Sequence, residues 1–139
     1  MAADTMLSGA GIRLEFNHKI RTFTQGKKKR IVGVAGAFND ALNWLEWYGA
    51  NCTKRPYDRD PYNGKTDIDA VILDEKGRLF IAFSAATVEG EVNEEFVTVG
   101  SGGSIALGAL ANGADVVDAL KIAHRYDAGT GPGILVVGL

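Results

Sequence analysis

Apolar and polar residues alternate along Ile12-Arg13-Leu14-Glu15-Phe16, and again along Lys19-Ile20-Arg21-Thr22-Phe23-Thr24. A period of two puts successive side chains on opposite faces, so both stretches predict half-buried strands. Ile31-Val32-Gly33-Val34-Ala35 is apolar throughout, the pattern of a strand covered on both faces. At Phe38 the period changes. Phe38, Ala41, Leu42, Leu45 and Tyr48 recur at helical spacing, Trp44 and Trp47 widen the stripe, and Gly49 ends it. An aromatic stripe of that width predicts core or subunit interface.

Residues 51–66, with Pro56, Pro61 and Gly64, read as one long irregular connection. Residues 68–73 and 79–83 predict a hairpin, with Gly77 where its turn needs a left-handed residue. Residues 88–94 are acidic and read as a turn. Glu95-Phe96-Val97-Thr98-Val99 predicts a strand, because Phe, Val and Thr suit a pleated surface. The turn Gly100-Ser101-Gly102-Gly103 then leads into a small-residue helix over 105–111, stopped by Asn112-Gly113. Asp115 is an N-cap for a second helix reaching Tyr126, and 134–137 predicts a closing strand. Met1-Ala2-Ala3-Asp4-Thr5 has no polar leader and reads as the inside of an element. Strands, a helix, strands, two helices and a strand are segregated blocks. They predict a layered α+β domain rather than alternating βαβ units.

Composition narrows the class. The chain has 139 residues, enough for one domain, 1–139, with a real core. A net charge of −2 argues against a nucleic-acid or membrane surface, and no apolar run approaches the ~20 residues of a span. The basic run Lys27-Lys28-Lys29-Arg30 reads as a solvated hairpin tip. A single cysteine, Cys52, excludes a disulfide framework and a Cys-rich zinc site, and suits a reducing compartment such as the cytoplasm. His18 and His124 each stand alone, so neither a metal nor a cofactor is expected.

A strand, a glycine turn and a helix N-terminus aim backbone N–H groups at one point, as in a phosphate cradle. Here no Lys-Ser/Thr pair follows, and Ile105 stands where the third glycine of a dinucleotide fingerprint belongs. Ser101, His124 and Asp127 can be written as a triad, but Ser101 lacks the G-x-S-x-G setting. Thr5 and Lys19 are the other polar residues of note. Lys19 sits on a strand among apolar neighbours, where it reads either as a lysine with a lowered pKa or as a solvated one.

Four segments together resemble the HslV-type and proteasome β-type peptidases, the N-terminal-nucleophile (Ntn) hydrolases with a threonine nucleophile. They are Met1-Ala2-Ala3-Asp4-Thr5, Asn17-His18-Lys19-Ile20-Arg21, the run from Ile31 through Gly36 to Ala41, and Val99-Gly100-Ser101-Gly102-Gly103. Asp127 with Thr130 adds a weaker match on the last turn. The resemblance implies a four-layer αββα sandwich assembled into rings. It also implies roles: Asp4 arranging the site, Lys19 acting electrostatically on the nucleophile, Gly36 donating to the oxyanion, Ser101 assisting the terminal amine, and Asp127 supporting it.

In that family the threonine lies on a strand preceding the one matched by Asp4, and this sequence opens within the latter. The expectation is therefore a compact form, truncated at the N-terminus, with the supporting residues and no attacking atom. It would be a catalytically incompetent subunit of a homo-oligomer or larger assembly, in the cytoplasm or in a phage virion. The alternative is a threonine-type endopeptidase acting on peptides, whose nucleophile-bearing strand lies outside this sequence. The unpaired sheet edge is expected to be covered by a neighbouring subunit.

Overall fold

The computed structural model describes residues 1–9, 12–15, 19–25, 27–50, 68–83 and 90–138. In chain order the elements are β1 (Ala2–Asp4), β2 (Met6–Gly9), β3 (Ile12–Glu15), β4 (Ile20–Gln25) and β5 (Lys28–Gly36), then α1 (Phe38–Gly49). There follow β6 (Ile68–Asp74), β7 (Leu79–Phe83), β8 (Gly90–Val92), α2 (Gly103–Ala111), α3 (Val116–Tyr126) and β9 (Ile134–Val136). The architecture is α+β, with antiparallel sheets and three helices among the described residues.

The largest sheet runs β4-β5-β6-β7-β8, each strand antiparallel to the next. Its central strand is β6, with Ala70 and Ile72 fully buried, and beside it runs the apolar stretch of β5, where Ile31 and Val32 are fully buried. Helix α1 covers one face. Its Ala41, Trp44, Leu45, Trp47 and Tyr48 pack on Val32, Val34, Ile68, Ala70, Ile72 and Ala82, and Trp44 stacks on Tyr48 at 5.0 Å. Both tryptophans are thus intramolecular core and not subunit interface. At the β6–β7 turn the buried Asp74 accepts the N–H groups of Lys76 and Arg78, each at 2.9 Å, and the Arg78 guanidinium.

The second half is built from smaller parts. β1 pairs with β9, and β2 with β3. Asp115 caps α3 by accepting from the N–H groups of Val117 and Asp118. Ala106, Leu110, Ala119 and Ala123 form the α2–α3 contact, where small side chains let the helices approach closely. α3 also lies against β1 and β9.

Three expectations need correction. Residues 95–99 form no ladder strand, because no described strand pairs with them. Within the acidic stretch 88–94, Gly90–Val92 pairs with β7 as an edge strand, so backbone pairing overrides the turn-like composition. Lys28, Lys29 and Arg30 belong to β5 rather than to a hairpin tip, since the register pairs Gln25 with Lys28. Residues 51–66, Cys52 and His18 lie outside the described residues. No helix among the described residues is long and apolar enough to cross a membrane.

Candidate functional site

Asp4 closes β1, and Lys19 immediately precedes β4. Their side chains meet as an ion pair, with Lys19 Nζ donating to Oδ1 at 2.9 Å and to Oδ2 at 3.0 Å. The pair is largely buried, with side-chain exposures of 20% and 17% for Lys19 and Asp4. Asp4 Oδ1 also accepts the Met6 N–H at 2.8 Å and the Gly131 N–H at 3.1 Å. One carboxylate thereby ties together the β1–β2 junction, the start of β4 and the turn before β9.

The turn 127–131 carries a second polar group. Asp127 Oδ2 accepts the hydroxyls of Ser101 and Thr130, each at 2.7 Å. The Ser101 hydroxyl, followed by that of Thr130, holds the Asp127 carboxyl below its ordinary range, against the opposing effect of burial. His124 Nδ1 donates to the Thr130 carbonyl at 2.7 Å, and Ser101 gives its hydroxyl directly to Asp127. The order Ser–His–Asp needed for a triad is therefore not built.

Gly102 explains how the two turns sit so close. A Cβ there would collide with the Thr130 hydroxyl and come within 3.3 Å of Asp127 Oδ2, so only glycine lets Ser101 reach across. Gly36, at the end of β5, has φ +118°, a backbone state that a side chain would strain. A Cβ on Gly100 would stand 3.2 Å from Ala35 Cβ, which places the glycine turn against the end of β5.

Asp4, Lys19, Gly36, Ser101 and Thr130 all line one cleft of about 750 Å³. Asp127 stands back from it and reaches it through Ser101 and Thr130. Thr5 is buried, with its N–H on the Gly133 carbonyl and its side chain against Gly133, so it does not face Lys19. The backbone donor Gly131 was not foreseeable by residue type. Its one signal is the alternation Gly129-Thr130-Gly131-Pro132-Gly133, which marks a segment pressed against its neighbours.

No family model and no curated protein matches the chain. Solved structures do. Anbu (ancestral beta-subunit) from Yersinia bercovieri superposes with a TM-score of 0.68 at 13% identity, over 96% of this chain and 73% of that one. Anbu from Hyphomicrobium sp. strain MC1 gives the same values. The helical assembly of the Anbu complex from Pseudomonas aeruginosa gives 0.70 at 11%, over the same shares. The fold is Anbu-like. The HslV-type reading of the motifs is corrected accordingly, since these three matching structures are Anbu. Where they are described, the quoted segments supply β1, the start of β4, most of β5 with the start of α1, and the glycine turn, parts of the common architecture that do not separate one branch of it from another.

Proposed function

We propose that this chain is the repeating subunit of a homo-oligomeric, Anbu-like particle. In this reading one Ntn-hydrolase-like domain spans residues 1–139 as a four-layer sandwich. Its order is α2 and α3, the β1–β9 sheet, the five-stranded sheet, then α1. The observation that carries the reading is the superposition of 96% of the chain on the Anbu complex whose solved form is a helical assembly. The contacts of α3 with β1 and β9, and of α1 with β5, support the layer order. Leu107, Val116, Ile122, Val136 and above all Tyr126, which is 69% exposed, supply apolar surface for neighbours to cover.

In the same reading the Asp4–Lys19 pair acts as a clasp between β1 and β4 and activates no nucleophile. Among the described residues, the hydrogen bonds of Lys19 Nζ go to the two oxygens of Asp4. Sedimentation velocity with negative-stain microscopy tests the assembly. Particles of uniform repeat are expected, and a monomer at every concentration would overturn it.

Threonine-type peptide hydrolysis is a second reading, favoured by Lys19, Gly36 and Ser101 lining one cleft. Cleavage of a fluorogenic tripeptide that disappears in Lys19→Ala would establish it. A wild-type protein inert towards such peptides supports the clasp instead.

A further inference from the structure

We propose that copies of this chain join head to tail through the two edges of the five-stranded sheet, with β8 of one copy beside β4 of the next. The contact deepens the assembly reading above, on which it rests.

Strands β4 and β8 are the first and last of that sheet, and among the described residues neither has a strand on its outer side. One end of the sheet carries charge of opposite sign at its two edges. The register sets Gln25 opposite Lys28, Arg30 opposite Asp74 and Leu79 opposite Val92. The two hairpin turns and the C-terminal end of β8 therefore share that end. Lys27, Lys28 and Lys29 stand on its β4 side, Glu94 and Glu95 follow β8 on the other, and all five are exposed. Glu91, on β8 itself, is also exposed and lies 3.8 Å from Arg78.

These charges are not balanced within the chain. Among the described residues, none of Lys27, Lys28, Lys29, Glu94 and Glu95 enters an ion pair. Four strand spacings of ~4.8 Å put β4 and β8 about 19 Å apart. That is about twice the screening length at ~0.1 M salt, so the two clusters meet only on different molecules. Like edges repel, since β4 against β4 opposes lysines and β8 against β8 opposes glutamates. Charge on an edge strand ordinarily bars pairing between copies. Here it bars like edges and favours unlike ones.

Strand direction adds a second constraint. Five strands that alternate in direction leave β4 and β8 parallel to each other. A second copy in the same orientation therefore sets its β4 beside β8 as a parallel pair, with lysines and glutamates at the same end. A two-fold edge contact would instead pair β4 with β4, or β8 with β8. Contact between two different patches is heterologous, and repeated it closes a ring or runs on as an open helix. Exposed ion pairs contribute little singly. In this contact they choose which edges meet and fix the register. Backbone bonds between the strands add affinity, together with the exposed apolar residues of α3.

Charge reversal on the full chain tests the contact by sedimentation velocity. The set Lys27→Glu, Lys28→Glu and Lys29→Glu should sediment as a single chain, and so should the set Glu94→Lys and Glu95→Lys. An equal mixture of the two should restore particles, because every contact between unlike variants again joins opposite charges. Wild-type particles should weaken as NaCl rises from about 0.05 to about 0.5 M. If a reversal does not fold, Lys27→Gln, Lys28→Gln and Lys29→Gln together decide, and assembly should then need at least about tenfold more protein. Folded reversal variants whose mixture stays monomeric overturn the proposal, as do particles that stop at a dimer. So do particles that form only with added polyphosphate or an acidic peptide, which would assign the lysines to that ligand. A wild type that stays monomeric overturns the assembly reading as well, whereas particles indifferent to both reversals overturn this contact alone.

Discussion

Asp4 Oδ1 and the Gly131 N–H are hydrogen-bonded at 3.1 Å although 127 residues separate them in the chain. Because the same oxygen also serves Met6 and Lys19, losing this carboxylate leaves two backbone donors and an ammonium without their acceptor. Asp4→Ala is expected to destabilise the fold by about 1–3 kcal/mol, and Asp4→Asn by less, as read by urea denaturation. Equal stability of Asp4→Ala and wild type would remove the clasp.

Asp127 gives the pH dependence. Its folded pKa lies below the ordinary value of 3.8, chiefly through the Ser101 hydroxyl, then that of Thr130. The stabilisation is therefore complete above that ordinary value and is lost as pH falls through the lower, folded one. Ser101→Ala should raise the Asp127 pKa, measured by carbon-detected NMR titration. It should also move acid unfolding to higher pH. An unchanged Asp127 titration in Ser101→Ala would show that the hydroxyl does not set it.

Gly102→Ala places a methyl group on the Thr130 hydroxyl. A cost of about 1–3 kcal/mol is expected, from overpacking, together with a raised Asp127 pKa as the turns separate. Thermal unfolding and the same titration follow both effects.

Trp44 Nε1 is buried and, among the described residues, without a hydrogen-bond partner. Trp44→Phe removes an unsatisfied donor along with some volume, and these changes offset. A net effect within about 1 kcal/mol is expected, whereas Trp44→Ala should cost about 3–5 kcal/mol. Far-UV circular dichroism in denaturant separates the two.

Tyr126→Glu combined with Ile122→Glu puts charge on exposed apolar positions of α3. Under the assembly reading, the sedimentation coefficient should fall to that of a single chain with stability unchanged. Particles that persist would place the contacts elsewhere.

Most of the elements were legible because their signals are local. α1 runs from Phe38 to Gly49 as its periodicity predicts, and α3 begins after the Asp115 cap and ends at Tyr126. The β6–β7 hairpin follows from its two apolar runs and Gly77. Residues 95–99 show where local reasoning fails. Their composition favours a strand, but a strand needs a partner, and partnership is a long-range property. The same limit applies to the site. Asp4 and Lys19 entered through a resemblance, and their contact could not be read from spacing. The resemblance grouped Asp4, Lys19, Gly36 and Ser101, which do line one cleft, but it misnamed the branch. The Asp127–Ser101–Thr130 bonds depend on how closely two turns approach, which composition does not encode.

The burial of both tryptophans under α1 has an optical consequence. The chain holds only Trp44 and Trp47, and neither lines the cleft. Intrinsic fluorescence therefore reports on α1 and the five-stranded sheet, and is nearly blind to what happens around Asp4 and Ser101. A dye on the β1 side, followed alongside the indoles, would show whether the two halves loosen together or in turn.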